Sequence, residues 1–345
     1  MKRAQAFILC AFTLLISQSG AHRSFAASIE DILASASREG ALDFYGPLTI
    51  GPEGARQLGA AFNKKYGLNL IVKFAPSANM DRDLSRVITE AATGKEPEYD
   101  VMLVPDTYHT TLWLRKLHVP FDYRKLGVDP RVVHYDSATV SFANQFVLPA
   151  YNKKILPAHD VPKSWSGLLD PKWKGGKLGM TNATPAHFAA LAAGLWGEEK
   201  TTKYVETLPQ QGLNLGRLGE IYNRLLLGEV LVAITLTNSF IFTAEKTGAP
   251  IVFAEGVEPV ISPAYHTSVL KGARHPMAGH LFAVFLTTSE AQQIWEKHMG
   301  HGSAFVPGTR AYQFAQGKQM LYMTQGQANL VEKLTRIYTK IVGFK

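Results

Sequence analysis

The sequence predicts an α/β protein of two lobes, each a mostly parallel sheet flanked by helices. Three observations carry that prediction. Short apolar strands alternate with amphipathic helices along most of the chain. The strand ends are rich in small hydroxyl and amide residues, and several open directly into a helix. At 345 residues the chain exceeds what one core of ~100–200 residues organises, so two units are expected.

The first 26 residues read as an export signal. Lys2 and Arg3 make a positive start, an apolar run of 11 residues spans 6–16, and Ser24-Phe25-Ala26 supplies a small-x-small cleavage site. The run is too short for a ~20-residue membrane span, so the mature chain is not expected in the membrane. Cleavage after Ala26 removes Lys2, Arg3 and Arg23. The 319 residues left carry 33 basic and 28 acidic side chains, so the net charge falls from +8 to +5. That excess supports no nucleic-acid partner. Cys10, the sole cysteine, departs with the signal, and no thiol, disulfide or cysteinyl metal site remains.

The first strand spans 41–45 and is closed by Gly46-Pro47. A helix over 54–66 places Ala55, Leu58, Phe62 and Tyr66 near one face. A second strand covers 70–74. Asn79 caps a helix whose stripe of Met80, Leu84, Val87, Ile88 and Ala91 runs up to Gly94. A third strand covers 99–104, and Thr107 opens another helix. This βαβαβ order implies a parallel sheet with helices on both faces. A second unit begins with an extended segment over 146–152 and a strand over 177–180. Thr184 then caps a helix with Pro185 at its first position. A helix over 218–227 stops at Gly228, the most apolar strand spans 230–236, and a helix over 239–246 ends at Gly248. The tail is helical over 276–286, 289–298 and 329–341.

In open parallel sheets ligands bind outside the carboxyl ends of the strands. Those ends nominate Tyr45, Gly46, Ser77, Ala78, Asn79, Asp106, Thr181, Asn182, Thr184, Asn238 and Ser239. Helix N-termini there offer free N–H groups and partial positive charge to an anion. Arg217, ahead of the helix leading to Gly228, and Arg82, in the first turn after Asn79, offer guanidinium forks for carboxylate or phosphate. Tyr45, Tyr151, Phe240 and Tyr265 are candidate apolar walls. No Gly-x-Ser-x-Gly elbow, phosphate-binding P-loop or His-Glu-x-x-His is present. His298 and His301, interleaved with Gly300 and Gly302, read as surface histidines. No enzyme, cofactor or resident metal is therefore expected, and a secreted hydrolase with a dispersed site is the remaining enzymatic alternative.

Four stretches carry a family likeness. They are Asn152-Lys153-Lys154; Pro162-Lys163-Ser164-Trp165 with Leu168-Leu169-Asp170-Pro171-Lys172-Trp173-Lys174-Gly175; Gly228-Glu229-Val230; and Leu270-Lys271-Gly272-Ala273-Arg274-His275-Pro276. In this order the chain resembles the periplasmic solute-binding proteins of ABC importers. The branch is the type 2 group that includes ferric-iron, thiamine, phosphonate and sugar-phosphate binders. The resemblance implies two lobes with hinge crossovers near 140–150 and 260–267. Lobe 1 would hold 27–145 plus 265–345, and lobe 2 would hold 146–264. It also implies a periplasmic monomer that closes on its ligand and delivers it to an inner-membrane permease. Ferric-binding relatives use a histidine, a glutamate and a tyrosine pair, at positions that fall here near Thr49, Pro105-Asp106 and Asn238-Ser239. Those replacements remove most anionic oxygen ligands. The expected solute is a small organic anion, a carboxylate, phosphonate or phosphate ester, with ferric iron or an iron chelate as the alternative.

Overall fold

The structure, a computed structural model, describes residues 29–344; the export signal expected over 1–26 lies outside them. A helix not foreseen from the sequence, α1 (Ile29–Glu39), comes first. The expected alternation follows: β1 (Ala41–Pro47), α2 (Gly51–Tyr66), β2 (Ile71–Ser77), α3 (Met80–Ala92), β3 (Val101–Pro105) and α4 (Asp106–Leu114). β1 pairs in parallel with both β2 and β3. Asn79 caps α3, its side chain accepting the Arg82 N–H at 3.0 Å. Two antiparallel strands, β4 (Val133–His134) and β5 (Thr139–Asn144), complete this stretch.

The chain then crosses to a second sheet through β6 (Val147–Asn152). It continues with β7 (Leu178–Thr181), α5 (Thr184–Leu191), α6 (Glu198–Thr207), β8 (Asn214–Gly216), α7 (Leu218–Leu227), β9 (Val232–Thr237), α8 (Asn238–Thr247), β10 (Ile251–Phe253) and β11 (Val260–Ser262). α7 ends as predicted, with Gly228 in the left-handed conformation at φ 79°. β12 (Ala264–Val269) returns to the first sheet, whose order is β2-β1-β3-β12-β5-β4. α9 (Pro276–Leu286) and α10 (Ser289–Met299) cover that sheet; α11 (Arg310–Ala315), β13 (Met320–Tyr322) and α12 (Ala328–Val342) follow. The second sheet runs β13-β11-β6-β9-β7-β8, with β10 beside β6.

Both sheets are mixed. β12 runs antiparallel to β3 and β5, and β6 runs antiparallel to β9, because these strands carry the chain between lobes. Each lobe has its own core. Phe44, Phe62, Phe282, Phe285 and Trp295 anchor the first. Trp165, Trp173, Phe188 and Leu236 anchor the second. Burying each such aromatic contributes roughly 2–3 kcal/mol.

The tail departs from the division expected from the resemblance. Ala304, Ala311, Leu321, Val331, Leu334, Tyr338 and Val342 bury in the second core, not the first. β13 pairs with β11, and α12 packs against α5. The amphipathic α12 needs an apolar face to cover it, and lobe 2 supplies that face. A further crossing therefore lies between α10 and Ala304. Gly300 opens it at φ 73°, where any Cβ would strike the Phe242 ring. Asn144 knits the crossings together. Its N–H donates to the Gly302 carbonyl at 2.8 Å, and its Oδ1 accepts from the Ala304 N–H at 2.8 Å. Beside it the Gln145 N–H donates to the Pro263 carbonyl at 2.8 Å.

The stretches that carry the family likeness are scaffold. The Trp165 indole donates to the Pro259 carbonyl at 3.0 Å, and Asp170 accepts the Lys172 N–H at 2.9 Å. Arg274 pairs with Asp43 at 2.6 Å and His275 with Asp100 at 2.8 Å, tying the start of α9 to β1 and β3. None of these residues faces the space between the lobes.

Candidate functional site

A cavity of about 750 Å³ lies between the lobes. Lobe 1 contributes Thr49 after β1, Asp106 to Tyr108 at the start of α4, Tyr265 from β12, and His298 from α10. Lobe 2 contributes His187 from α5 and Ser239, Phe240, Phe242 and Lys246 from α8. A groove of about 480 Å³ continues past Asp106 and Tyr108 towards Asp81, Asn182, Glu332 and Arg336.

Pro105 ends β3 and makes Asp106 the first residue of α4. Asp106 is only 3% exposed, and neither carboxylate oxygen has a hydrogen-bond partner. Burial pushes its carboxyl up to about 7; the nearby Thr107 N–H opposes this without closing a well-formed bond. The Tyr108 hydroxyl donates to Asp81 at 3.0 Å, and burial raises its proton affinity. Tyr265 is pushed up to about 12 by burial and stacks on His301 with ring centroids 5.3 Å apart. Across the cavity, burial drives the His187 imidazole down to about 4, and its Nδ1 has no partner. The cationic side chain on the wall is Lys246, its Nζ 4.2 Å from the Phe242 ring centroid.

Of the residues nominated from sequence, Asp106, Ser239 and Tyr265 line this cavity, as does the wall candidate Phe240. Asn182 reaches only the adjoining groove. The others are engaged elsewhere. Tyr45 is 1% exposed, its hydroxyl donating to Asp83 at 3.0 Å. Ser77 donates to the same carboxylate at 2.8 Å, and Arg82 pairs with it at 2.9 Å. Burial of Asp83 opposes ionisation, but these three partners hold its carboxyl below the usual range. This knot secures the start of α3 and turns Arg82 away from the cavity. Gly46 is buried between Leu103 and Phe74, and Ala78 and Asn79 are exposed around the cap of α3. Tyr151 packs against the second core.

Thr184 does not cap α5 but begins it. Its hydroxyl turns inward to Thr181 at 3.1 Å, and also bonds Thr235, closing a buried hydroxyl cluster. Asn238 braces a crossing, its Oδ1 accepting the Phe146 N–H at 3.1 Å. Arg217 is exposed ahead of α7, with its backbone N–H donating to Glu220 at 2.8 Å. Thus neither arginine expected to anchor an anion lines the cavity. His298 faces the cavity and its Nε2 lies 3.1 Å from Gln57 Oε1. His301 is buried, 1% exposed, and driven down to about 3 by desolvation, because the crossing after Gly300 folds it under Tyr265. Neither is the free surface histidine expected. Sequence reasoning missed His187, Tyr108 and Lys246. The signal for His187 was present: Ala183, Ala186 and Ala190 share its helix face and leave it room.

Among the described residues, Asp43, Asp100 and His275 form the cluster of acidic and imidazole groups tight enough to hold a metal. Arg274 and mutual hydrogen bonds already occupy it.

Residues 55–298 match the family described as bacterial extracellular solute-binding protein. The chain belongs to that family. As such it is a bacterial extracellular solute-binding protein, and it has the two-lobed type 2 fold. No curated protein matches its sequence. Among solved structures, iron-bound HitA from Pseudomonas aeruginosa superposes with a TM-score of 0.69 at 17% identity, over 87% of this chain and 99% of HitA. Trichodesmium IdiA (FutA) in complex with iron and citrate gives 0.71 at 16% identity, over 89% and 100%. The ferric binding protein from Campylobacter jejuni gives 0.70 at 15%, over 88% and 100%. These likenesses establish the shared fold. No helix among the described residues is long and apolar enough to cross a membrane.

Proposed function

We propose that this solute-binding protein is exported to the periplasm and collects ferric iron there as a complex with a small organic carrier anion. The lobes close on the complex, and the protein hands it to an inner-membrane permease. The observation that carries the reading is Asp106, a buried carboxylate with no partner on the cavity wall. Such a group costs stability and calls for a cation from the solute.

The cavity argues for a chelate over a bare ion. An ion with six oxygen donors fills roughly 200 Å³ at ~30 Å³ per water-sized group, against about 750 Å³ available. One carboxylate is also too few anionic donors for ferric iron, and Asn238-Ser239 stand where the resemblance places a tyrosine pair. A carrier would supply the remaining oxygens and fill the remaining volume. Lys246 would meet a free carboxylate of that carrier, and Phe240 and Phe242 its carbon frame. The organic anion expected from the sequence thus has a place, as the carrier. The solved relatives bound to iron, and to iron with citrate, support this choice.

The test is calorimetric titration with ferric citrate, citrate alone and an alkylammonium panel, with metal analysis of the loaded protein. Ferric citrate should bind one complex per chain, at least a hundredfold more tightly than citrate. Equal affinity for citrate alone, or preference for an ammonium solute that pairs with Asp106, overturns the reading.

A further inference from the structure

α5, with Ala183 just before it, presents one face to the cavity, composed of Ala183, Ala186, His187 and Ala190. These positions recur at the spacing of a helical face. Three are methyl-sized, so the face is recessed except where the imidazole projects. The Nδ1 atom of that imidazole is buried and unpartnered. An unmade bond of this kind costs stability, a cost that simple packing does not require. The nearest hydroxyl on the helix, Thr184, is committed to Thr181 and Thr235. On the opposite wall both oxygens of Asp106 are likewise unpartnered. Two groups of metal-ligating chemistry, one from each lobe, therefore border the same cavity with their bonds unmade.

We propose that His187 ligates the metal of the bound chelate from lobe 2 while Asp106 ligates it from lobe 1. The inference rests on the ferric-chelate reading. Burial keeps the imidazole in its neutral form at pH 7, the form with a lone pair to give. Asp106 and His187 come from different lobes, so a metal held by both bridges the lobes, and its binding energy goes into the closed arrangement. Imidazole and carboxylate together occupy two positions of the metal, and the carrier keeps the others. A chelate saturated by its carrier, with no exchangeable position, is excluded as a solute on this account.

The experiment compares wild type with His187→Gln and His187→Ala, titrated with ferric citrate and with citrate alone. Pulsed-EPR nitrogen modulation is recorded on the ferric citrate complex of each. Gln keeps polarity and much of the volume but is a poor ligand. The expected result is a loss of at least tenfold in ferric citrate affinity for both variants. Citrate affinity should change by less than threefold, and the imidazole nitrogen signal should be present in wild type and absent in His187→Gln. If the variants bind ferric citrate within threefold of wild type, or wild type lacks the nitrogen signal, the assignment of His187 falls and the chelate reading stands. If wild type itself prefers citrate alone or an ammonium solute, the chelate reading falls and takes the assignment with it.

Discussion

Replacing Asp106 by Asn should stabilise the ligand-free protein while abolishing capture of its solute. The carboxyl moves from an ordinary 3.8 to about 7 on burial, which corresponds to about 4 kcal/mol against the ionised form. Because the side chain is 3% exposed, solvent screening reduces this little. The folded state holds the proton that the unfolded state releases above pH 3.8. The penalty is therefore absent below about pH 4, grows as the pH rises, and is complete above pH 7. Asn is neutral throughout and carries no such penalty. It still leaves a buried polar group unmatched, but so does the protonated carboxyl, and that cost cancels in the comparison. The assay is guanidinium unfolding of both proteins, free of solute, from pH 4 to pH 8. The stability of Asp106→Asn relative to wild type should rise by about 2–4 kcal/mol across that range. In the same buffers, wild-type affinity for ferric citrate should weaken as the pH falls below 7, and Asp106→Asn should show no binding at any pH in the range. A pH-independent difference in stability, or a variant less stable than wild type at pH 8, would refute the reasoning, because the carboxylate would then have a stabilising partner.

Three further outcomes follow. Gln325, ahead of α12, exchanges two hydrogen bonds with Asp136 of lobe 1, at 2.8 and 2.7 Å; Gln325→Ala should remove about 1 kcal/mol from the closed state and speed solute release about fivefold in stopped-flow measurements, and an unchanged off-rate would show that opening does not break this contact. His109, on the buried face of α4 in lobe 1, is held neutral by burial down to about pH 4, so the protein should lose up to about 3 kcal/mol from this group as the pH falls from 6.5 to 4; His109→Gln should flatten that loss in denaturant midpoints measured at pH 7 and pH 4. Arg217→Ala should bind ferric citrate within threefold of wild type and unfold within about 0.5 kcal/mol of it, since Arg217 is exposed and outside the cavity; a tenfold loss by calorimetry would return it to the site.

Secondary structure and family were legible in the sequence because local rules write them. Asn79 capping α3, Gly228 ending α7 and Pro276 starting α9 are decided by the backbone preferences of single residues and their immediate neighbours. The motifs that reveal the family are equally local in their work: Trp165, Asp170 and His275 hold corners of the scaffold. That is also why they are silent about the solute. Which strand ends face each other was decided only by tertiary structure. Tyr45, Ser77 and Arg82 have the chemistry of ligand residues, yet Asp83 gathers all three, through a contact between β1 and α3 that no local spacing encodes. By spacing alone His187 is one more position of an alanine-rich helix, and only the fold sets α5 and α4 across one cavity. The tail went to lobe 2 because an amphipathic helix specifies that it must be covered, not by what. Period and capping act over a few residues and survive in the sequence; the identity of a partner face depends on shape matching between segments a hundred or more residues apart, and only the folded chain resolves it.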